Sequence, residues 1–497
     1  MRLRELLKDV EYELIQGDLE LEISDIAYDS RKVKDGIVFV AMKGFRVDGH
    51  DYIETAIKNG AKCVIVEDDV KVSSDITVIK LKDTRVDLSK LSRTLFGYPD
   101  KEMKTIAITG TKGKTSISTM IKKILDDSGN STGLIGTMGV FYKDKFYHTV
   151  NTSPESYDVF KYMREMLDNG VKHLVMEVSS QSLKLKRWSN VIFDYAVFTN
   201  LSLDHVGDDE HDSFEDYKYC KSLLFKQCRV GIFNIDSEYY KDMVKDVNCD
   251  IYTYGYSSGA NYVIDKAVNV MKDGFVGIEM DVKGAIDKKF RVSIPGLFTA
   301  YNAMAAIVVC NIMGIDMNSV LRSLDSVSVK GRMESVNISN KFSLLIDYAY
   351  QGIAMENVLG TIKESNPLRI VTVFGCGGNR SRQRRFDCGE VSGKYSDLSI
   401  LTADNPRYEN NDDIIKDILV GMEKVNGNYI IINDRREAIE SAIVNAKEGD
   451  IILILGKGHE DYQEIEGVRY PFDERIVIRE IIDDLSLEDK NRLGIIV

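Results

Sequence analysis

The sequence lacks the features of a nucleic-acid-binding protein and of a membrane protein. Its 65 lysines and arginines are outnumbered by 78 acidic residues, and the formal net charge is -13 at pH 7. A protein whose main task is nucleic-acid binding carries a basic surface, so this composition disfavours that class. No apolar run approaches the roughly 20 residues that span a bilayer. We therefore expect no nucleic-acid partner and no transmembrane segment.

Cysteine is also scarce and shows no pairing pattern. The seven cysteines are dispersed, and none stands in a Cys-x-x-Cys pair. An odd and dispersed set favours reduced thiols over a disulfide framework. The stretch from Met1 to Asp9 is charged and lacks the apolar core of a signal peptide. We expect a cytoplasmic protein.

The length and the pattern of apolar runs predict an α/β protein of about three domains. We place these domains at 1–100, 101–330 and 331–497, with Pro99 at the first boundary. Short apolar runs followed by polar or glycine turns predict strands, and in the second and third domains they favour buried parallel sheets. Such runs lie at 36–41, 63–67, 105–109, 173–178, 195–200, 231–235, 344–347, 370–374, 398–402, 429–432 and 451–455. We also expect antiparallel strands within 249–294, a helix at 299–312, and a doubly wound third domain with ligands beyond the carboxyl ends of its strands.

The motif at 105–116 predicts a phosphate-binding loop between a strand and a helix. Gly110 and Gly113 allow backbone dihedrals and a close approach that side chains would forbid. Backbone N–H groups at the start of the following helix can then bind an anion. Lys114 supplies a cation for the outer phosphates, and the Thr115 hydroxyl suits Mg²⁺. The spacing Gly-x-x-Gly-Lys-Thr is tighter than the usual pattern, and the alternative is an ordinary surface turn.

Two polar residues follow predicted strands of the same sheet. Glu177 ends one run and His205 follows the next, so both should lie at the edge that carries the phosphate loop. A carboxylate there can hold Mg²⁺, whereas histidine is an unexpected ligand for a cation that prefers oxygen. The alternatives are an acid that caps a helix and an ordinary loop histidine.

Lys221 lies in a predicted helix on the same side as Tyr217 and Phe225. The neutral amine of a lysine among apolar neighbours could react. The residues alone favour the other interpretation, a solvated lysine that extends out of the helix.

Arginines mark the third predicted domain. Arg407 follows Asn405-Pro406 and offers a planar fork that suits a carboxylate. A basic cluster follows Gly377-Gly378, and its alternative is a solvated surface run. The members of this cluster are Arg380, Arg382, Arg384 and Arg385.

Taken in order, these segments resemble the Mur ligase family, and within it the MurE-type ligases, over nearly the whole chain. The loop at 110–115 is similar to the family's Gly-Thr-x-Gly-Lys-Thr, so its compressed spacing is a family feature. The resemblance implies a small uridine-binding α/β domain, a central P-loop ATPase domain and a C-terminal Rossmann-like domain. The other similar segments are 29–31, Gly44, 48–50, 151–154, 177–180, Arg187, Asn302, 331–334 and 347–349.

The resemblance implies an ATP-dependent amide ligase of peptidoglycan synthesis. It would add a diamino acid to UDP-MurNAc-L-Ala-D-Glu through an acyl phosphate. ATP, Mg²⁺ and CO₂, the last as a carbamate on Lys221, are the implied cosubstrate and cofactors. The implied partners are these small molecules, and we expect a monomer.

The resemblance also implies a role for individual residues. The catalytic set would be Lys114, Glu177, His205 and Lys221. Contacts to ATP would come from Gly110, Thr111, Lys112, Gly113, Lys114, Thr115, Ser116, Asn302, Arg332 and Asp347. The UDP-muramoyl dipeptide would contact Ser30, Asn151, Thr152, Ser153, Ser180 and Arg187. The diamino acid would contact Arg385, Asn405, Arg407, Gly456 and Glu460, and Mg²⁺ would be held by Thr115, Glu177, His205 and carbamylated Lys221.

The sequence leaves the added amino acid open. The segment 404–407 resembles the motif of enzymes that add meso-diaminopimelate, where the arginine binds the distal carboxylate, and we favour that substrate. Gln181, Lys112 and the segment 210–217 are more similar to lysine-adding members. The alternatives are L-lysine or another diamino acid, a catalytically altered paralogue or scaffold, and a ligase with another acceptor such as a folate. The other departures from the family pattern are Tyr350-Gln351-Gly352 and Phe386-Asp387.

Overall fold

The computed structural model describes residues 1–44, 47–202, 207, 211–272 and 275–496. The chain divides into two compact units, Met1–Thr253 and Tyr254–Val497. Within the described residues, no helix combines the length and the apolar character that crossing a membrane requires.

The first unit alternates strands and helices. Its strands are β1 (Glu13–Gln16), β2 (Asp25–Ala27), β3 (Ile37–Val40), β4 (Cys63–Val66), β5 (Thr77–Lys80), β6 (Lys104–Thr109), β7 (Thr132–Gly136), β8 (Gly139–Tyr142), β9 (Lys145–Tyr147), β10 (His173–Glu177), β11 (Phe193–Phe198) and β12 (Cys228–Asn234). Its helices are α1 (Leu3–Leu6), α2 (Ile53–Lys58), α3 (Thr84–Leu95), α4 (Lys114–Asp127), α5 (Ser156–Asp168), α6 (Ser180–Lys184), α7 (Phe214–Ser222) and α8 (Tyr240–Met243). Short 3₁₀ turns lie at Leu7–Asp9, Ser30–Lys32, Gly49–Tyr52, Pro99–Lys101 and Leu223–Lys226.

A small sheet orders its strands β1-β5-β4-β3-β2. The pairs from β2 to β5 are parallel, and β1 runs antiparallel to β5. Successive residues of β3 belong to two separate apolar clusters, since Val38 and Val40 pack on one face and Phe39 on the other. A parallel sheet with both faces covered accounts for the unbroken apolar runs of this region.

The larger sheet of the first unit has the order β12-β11-β6-β10-β7-β8-β9. The strands from β12 to β7 are parallel, and β8 and β9 return as antiparallel strands. The register pairs Glu177 of β10 with Ile108 of β6, so the end of β10 lies beside the start of the phosphate loop. Helix α4 buries Ile117, Ile121 and Ile124, which recur at helical spacing.

The second unit begins at Tyr254, within its first strand, and contains an antiparallel layer followed by a second parallel sheet. Its strands are β13 (Asp250–Gly255), β14 (Tyr262–Lys272), β15 (Phe275–Gly284), β16 (Lys288–Val292), β17 (Glu334–Ser335), β18 (Ser343–Asp347), β19 (Arg369–Phe374), β20 (Leu398–Leu401), β21 (Tyr429–Ile431), β22 (Asp450–Leu455), β23 (Tyr462–Ile465) and β24 (Val468–Pro471). Its helices are α9 (Phe298–Ile312), α10 (Met317–Asp325), α11 (Gly352–Glu364), α12 (Arg382–Tyr395), α13 (Asn411–Lys424), α14 (Arg435–Val444), α15 (Glu474–Asp484) and α16 (Leu487–Leu493).

The sequence predicted the main elements of this unit correctly. Strands β14, β15 and β16 are antiparallel, as expected for 249–294, but the expectation is wrong for β13, which lies in the same range and pairs in parallel with β14. The helix expected at 299–312 is α9, and Gly314 follows it with a positive φ of 78°. The final sheet has the order β17-β18-β22-β19-β20-β21, and the strands from β18 to β21 are parallel. The doubly wound third domain is therefore confirmed.

Candidate active site

The loop after β6 requires glycine at two positions. Gly110 has a φ of 150°, and a Cβ there would lie 1.9 Å from the Thr199 Oγ1 atom. Gly113 has a φ of 88° and forms the N-cap of α4. The chain thus turns from the sheet directly into a helix whose N-terminus favours an anion.

Lys114 folds back over this loop. Its Nζ donates to the Gly110 carbonyl at 2.8 Å and to the Thr111 carbonyl at 3.0 Å. Asn200 anchors the other side, because its carbonyl accepts from the Thr111 N–H at 2.9 Å and its Oδ1 from the Lys112 N–H at 3.0 Å. The loop is held in its bent form by contacts from the end of the neighbouring strand.

Glu177 is completely buried at the end of β10. Its Oε2 accepts hydrogen bonds from Thr115 Oγ1 at 3.1 Å and from Thr137 Oγ1 at 2.9 Å. Its Oε1 has no hydrogen-bond partner among the described residues. Burial raises the pKa of this carboxyl, and the positive charge of Lys114 opposes the rise. Glu177 thus offers a buried carboxylate oxygen that receives no hydrogen bond from the described residues, beside a threonine hydroxyl. These oxygen ligands fit a hard cation such as Mg²⁺.

Lys221 is buried, with 2% of the residue exposed. Its Nζ donates to the Gly110 carbonyl at 3.0 Å and lies 4.6 Å from the centre of the Tyr217 ring. The favoured interpretation of a solvated lysine is therefore wrong, because α7 packs this side chain against the loop. The Gly110 carbonyl accepts from both Lys114 and Lys221. His205 lies outside the described residues.

Residues predicted to contact the dipeptide substrate surround the end of β10. Ser153 Oγ donates to the Glu177 carbonyl at 2.9 Å, and its own carbonyl accepts from Arg187 Nη1 at 2.6 Å. Thr152 Oγ1 lies 3.1 Å from Thr137 Oγ1, and Asn151 is exposed beside it. The structure therefore brings these residues to the same edge as Glu177.

A buried chain of polar contacts reaches Ser180, and two of its members, His211 and Asp216, were not predicted as site residues. The Nε2 atom of His211 lies 2.8 Å from Ser180 Oγ, and its Nδ1 lies 2.9 Å from Asp216 Oδ2. Although burial alone would raise it, hydrogen bonds from Lys184 and His211 hold the pKa of Asp216 at about 2. Only the spatial contact of α6 with α7 reveals this chain.

The small sheet carries the predicted uridine-side residues. Ser30 is buried, and Asp29 Oδ1 accepts from the Arg31 N–H at 3.0 Å, which fixes the turn at Ser30–Lys32. His50 Nε2 accepts from the Glu67 N–H at 3.0 Å. Its Nδ1 therefore carries the proton that is shared with Asp48 Oδ1 at 2.6 Å.

Asp347, in the second unit, is buried at the end of β18. Its Oδ2 accepts from the Met333 N–H at 2.7 Å and its Oδ1 from the Ala349 N–H at 2.8 Å. Burial raises the pKa of this carboxyl, and these hydrogen bonds together with Arg332 oppose the rise. Asn302 is 7% exposed on α9.

The segment that follows β20 carries Asn405 and Arg407. Asn405 Nδ2 donates to Glu460 Oε2 at 2.9 Å, and Asn405 Oδ1 accepts from the Glu464 N–H at 2.9 Å. Arg407 Nη1 donates to the Gly378 carbonyl at 2.8 Å, and its Nε lies 3.4 Å from Glu464 Oε2. The hairpin of β23 and β24, which the sequence did not predict, thus supports this segment.

The remaining predicted amino-acid contacts lie close by in the same unit. Arg385 is 2% exposed and pairs with Asp417 at 3.0 Å and Glu409 at 2.8 Å. Gly456 has a φ of 111°, and a Cβ there would lie 2.7 Å from Asp404 Oδ2. Its backbone therefore approaches the start of the 404–407 segment more closely than a larger residue would allow.

Comparison with known proteins gives consistent matches along the chain. Three family models match: the Mur ligase family, catalytic domain at 22–93, the Mur ligase middle domain at 108–310, and the Mur ligase, glutamate ligase domain at 331–458. The chain is 43% identical to the UDP-N-acetylmuramoyl-L-alanyl-D-glutamate--2,6-diaminopimelate ligase of Caldanaerobacter subterraneus subsp. tengcongensis, over 97% of this chain and 99% of the relative. It is 40% identical to the Clostridium perfringens protein of the same name, over 97% of this chain and 100% of the relative. A solved structure of a ligase with that name has a TM-score of 0.74 and 27% identity, and the match covers 97% of this chain and 99% of that one.

Proposed function

Because the chain belongs to the Mur ligase family, we propose that it is an ATP-dependent ligase that joins meso-diaminopimelate to UDP-N-acetylmuramoyl-L-alanyl-D-glutamate in peptidoglycan synthesis. The observation that carries this conclusion is the 43% identity, over nearly the full length of both chains, to a ligase named for that reaction. The glycine loop, the buried Glu177 and the arginine segment supply the chemistry that such a reaction needs.

We assign the phosphates of ATP to the loop at 110–116. Two backbone dihedrals that favour glycine and the N-terminus of α4 support this assignment. Lys114 holds its ammonium over the loop and would move to the outer phosphates. We assign Asn302, Arg332 and Asp347 to the nucleoside side of ATP, as the family resemblance implies.

We assign Mg²⁺ to Thr115 and Glu177. The free Oε1 of Glu177 supports this, since it is a buried acceptor with no donor among the described residues. When bound, Mg²⁺ neutralises charge that develops on the transferred phosphoryl group. A carbamate on Lys221 would add an anionic oxygen at this place, and the burial of its amine beside Gly110 is compatible with that role. His205 stays a predicted ligand.

The reaction then has two steps. A carboxylate oxygen of the D-glutamyl residue attacks the γ-phosphorus of ATP, and ADP leaves. The neutral amine of the diamino acid attacks the acyl carbon, phosphate leaves, and the amine loses its proton. Lys114 would balance the charge of the phosphates in the first step. Buried surroundings at Glu177 would keep water from the acyl phosphate.

We assign the dipeptide substrate to the edge around Ser153, Ser180 and Arg187, with Asn151 and Thr152, and its uridine end to Ser30. The hydrogen bonds of Ser153 and Arg187 around the end of β10 support this placement. We assign the diamino acid to Asn405, Arg407 and Glu460, together with Arg385 and Gly456. Domain boundaries at 100 and 330, a cytoplasmic location and a monomeric state stay predictions.

One assay tests the function against its alternatives. Purified protein is incubated with ATP, Mg²⁺, UDP-N-acetylmuramoyl-L-alanyl-D-glutamate and either meso-diaminopimelate or L-lysine, and both phosphate and tripeptide product are measured. We expect product with meso-diaminopimelate and phosphate release that requires both acceptor substrates. Product with L-lysine alone would assign the other amino acid. ATP binding without turnover would favour the altered paralogue that Gln181 and Tyr350 suggest.

A further inference from the structure

Lys457 is a buried cation to which the proposed reaction gives no role. It follows Gly456 at the end of β22 and is 0% exposed. Its Nζ donates to Asn405 Oδ1 at 3.0 Å and to Glu460 Oε2 at 3.2 Å. The same ammonium lies 5.4 Å from the centre of the Tyr462 ring. A fully buried lysine is rare unless it is paired, and here the partners Asn405 and Glu460 bind the ammonium.

The contacts of Lys457 fix the orientation of the Asn405 amide. Asn405 Oδ1 accepts from Lys457 Nζ and from the Glu464 N–H, which are both donors. Its Nδ2 must therefore point the other way, and it donates to Glu460 Oε2 at 2.9 Å. Rotation of the amide by 180° would set an N–H₂ group against the lysine ammonium and leave two donors without an acceptor.

The same contacts give the two carboxylate oxygens of Glu460 different surroundings. Oε2 accepts from both Asn405 Nδ2 and Lys457 Nζ. Oε1 accepts no hydrogen bond from the described part of the chain, and 16% of the side chain is exposed. One carboxylate oxygen is thus fixed internally, and the other is presented for a ligand.

We infer that Lys457 is a positioning residue for the diamino acid: it orients Asn405 and fixes one oxygen of Glu460, so that the other oxygen can accept a hydrogen bond from an ammonium group of the substrate. This inference rests on the proposed function, which places the diamino acid at Asn405 and Glu460. Lys457 itself has no exposed surface and acts through these two side chains.

A purely structural role is the competing explanation. A second buried ion pair lies in the same domain, where Arg435 Nη2 contacts Glu474 Oε1 at 2.6 Å and both side chains are 0% exposed. Burial raises the pKa of the Glu474 carboxyl, and the positive charges of Arg435 and Lys457 oppose this rise. A lysine that only stabilised this buried region would affect folding and all substrates alike.

The test compares Lys457→Met, Glu460→Gln and the double variant with the unaltered full-length protein. Initial rates are measured against the diamino acid, ATP and the UDP-linked dipeptide, and melting temperatures are recorded. For Lys457→Met we expect KM for the diamino acid to rise about tenfold, as for the loss of a charge-assisted hydrogen bond, with KM for the other two substrates unchanged. The control Lys416→Met removes an exposed lysine of the same unit and should leave all three values unchanged.

The double variant decides whether Lys457 acts through Glu460. It removes both charges of the pair, so it avoids an unpaired buried carboxylate, and we expect its KM for the diamino acid to rise by less than the product of the two single-variant increases. Unchanged KM in Lys457→Met, penalties that add in the double variant, or loss of folding in both Lys457 variants would each overturn the inference. If the unaltered protein ligates no diamino acid, both the proposed function and this inference are wrong. If it does so and its turnover is insensitive to Lys457→Met, only the inference is wrong.

Discussion

At the scale of the residue, Arg407 is the group that distinguishes the two candidate amino acids. Diaminopimelate carries a carboxylate at the end where lysine has none. Arg407→Ala should weaken the use of diaminopimelate by about 2–4 kcal/mol, the effect of losing a charge-assisted carboxylate contact. Kinetics with meso-diaminopimelate and with L-lysine measure this, and only the first should change.

Arg436→Ala is the matched control for Arg407. Arg436 lies in the same unit and pairs with Glu480 and Asp484 at the surface, so its removal should leave both substrates unaffected. Unaltered kinetics in Arg407→Ala would remove this residue from the choice of amino acid.

Lys221 carries the second prediction at this scale. Its burial against Gly110 leads us to expect that Lys221→Ala suppresses turnover. With ¹³C-labelled bicarbonate, a carbamate resonance should appear in the NMR spectrum of the unaltered protein and be absent in the variant. Lys218→Ala changes a lysine of the same helix that pairs with Glu215, and it should keep both the signal and the activity. Full activity of Lys221→Ala would show that no carbamate is needed.

At the scale of the element, the loop after β6 depends on a close approach to β11 and the residues that follow it. A Cβ at Gly110 would lie 1.9 Å from Thr199 Oγ1. Gly110→Ala should therefore displace the loop and abolish nucleotide binding, which titration with ATP would measure. Gly129 also has a positive φ but has no atom within 4 Å of an added Cβ, so Gly129→Ala should bind ATP normally. Equal binding by both variants would contradict the steric argument.

The same elements show which parts of the structure a sequence reveals. The parallel strands were predictable because burial on both faces produces unbroken apolar runs, as in β6 and β10. The hairpin of β23 and β24 was not predicted, because all of β24 and the end of β23 are exposed and no unbroken apolar run marks them.

The predicted site likewise contains some features that the sequence reveals and others that it does not. The glycine loop was predictable because its residues are contiguous. The burial of Lys221 was not, since the contact that buries it joins residues 111 positions apart. Sequence patterns report local structure, whereas this contact depends on how α7 packs against the loop after β6.

At the scale of the whole molecule, an acidic chain must bind the acidic groups of its proposed substrates. The net charge is -13, yet Lys114 and the N-terminus of α4 place positive charge at the phosphate loop. Local placement of cations, and not the overall charge, therefore sets the attraction for phosphates.

The buried Glu177 should make the ligand-free protein less stable than a variant with a neutral side chain at this position. Burial raises the pKa of this carboxyl in the folded protein above its ordinary value. The carboxyl therefore stabilises the fold fully at a pH below the ordinary pKa, and this stabilisation is lost as the pH rises through the raised pKa. At neutral pH, in the absence of a cation, the ionised form destabilises the fold. Glu177→Gln removes this charge, and we expect its melting temperature without ligands to rise by about 2–4 °C, which corresponds to roughly 1 kcal/mol for a domain of this size.

The same substitution should remove ligase activity, and with it the additional stabilisation that Mg²⁺ and ATP give the unaltered protein. Glu11→Gln alters an exposed carboxyl of the same unit and should change neither property. The measurement is thermal unfolding at pH 7 and pH 5, with and without Mg²⁺ and ATP. Because the penalty comes from ionisation, the difference between Glu177→Gln and the unaltered protein should shrink at the lower pH. A melting temperature that falls in the variant at both pH values would mean that the hydrogen bonds from Thr115 and Thr137 outweigh the cost of the buried charge.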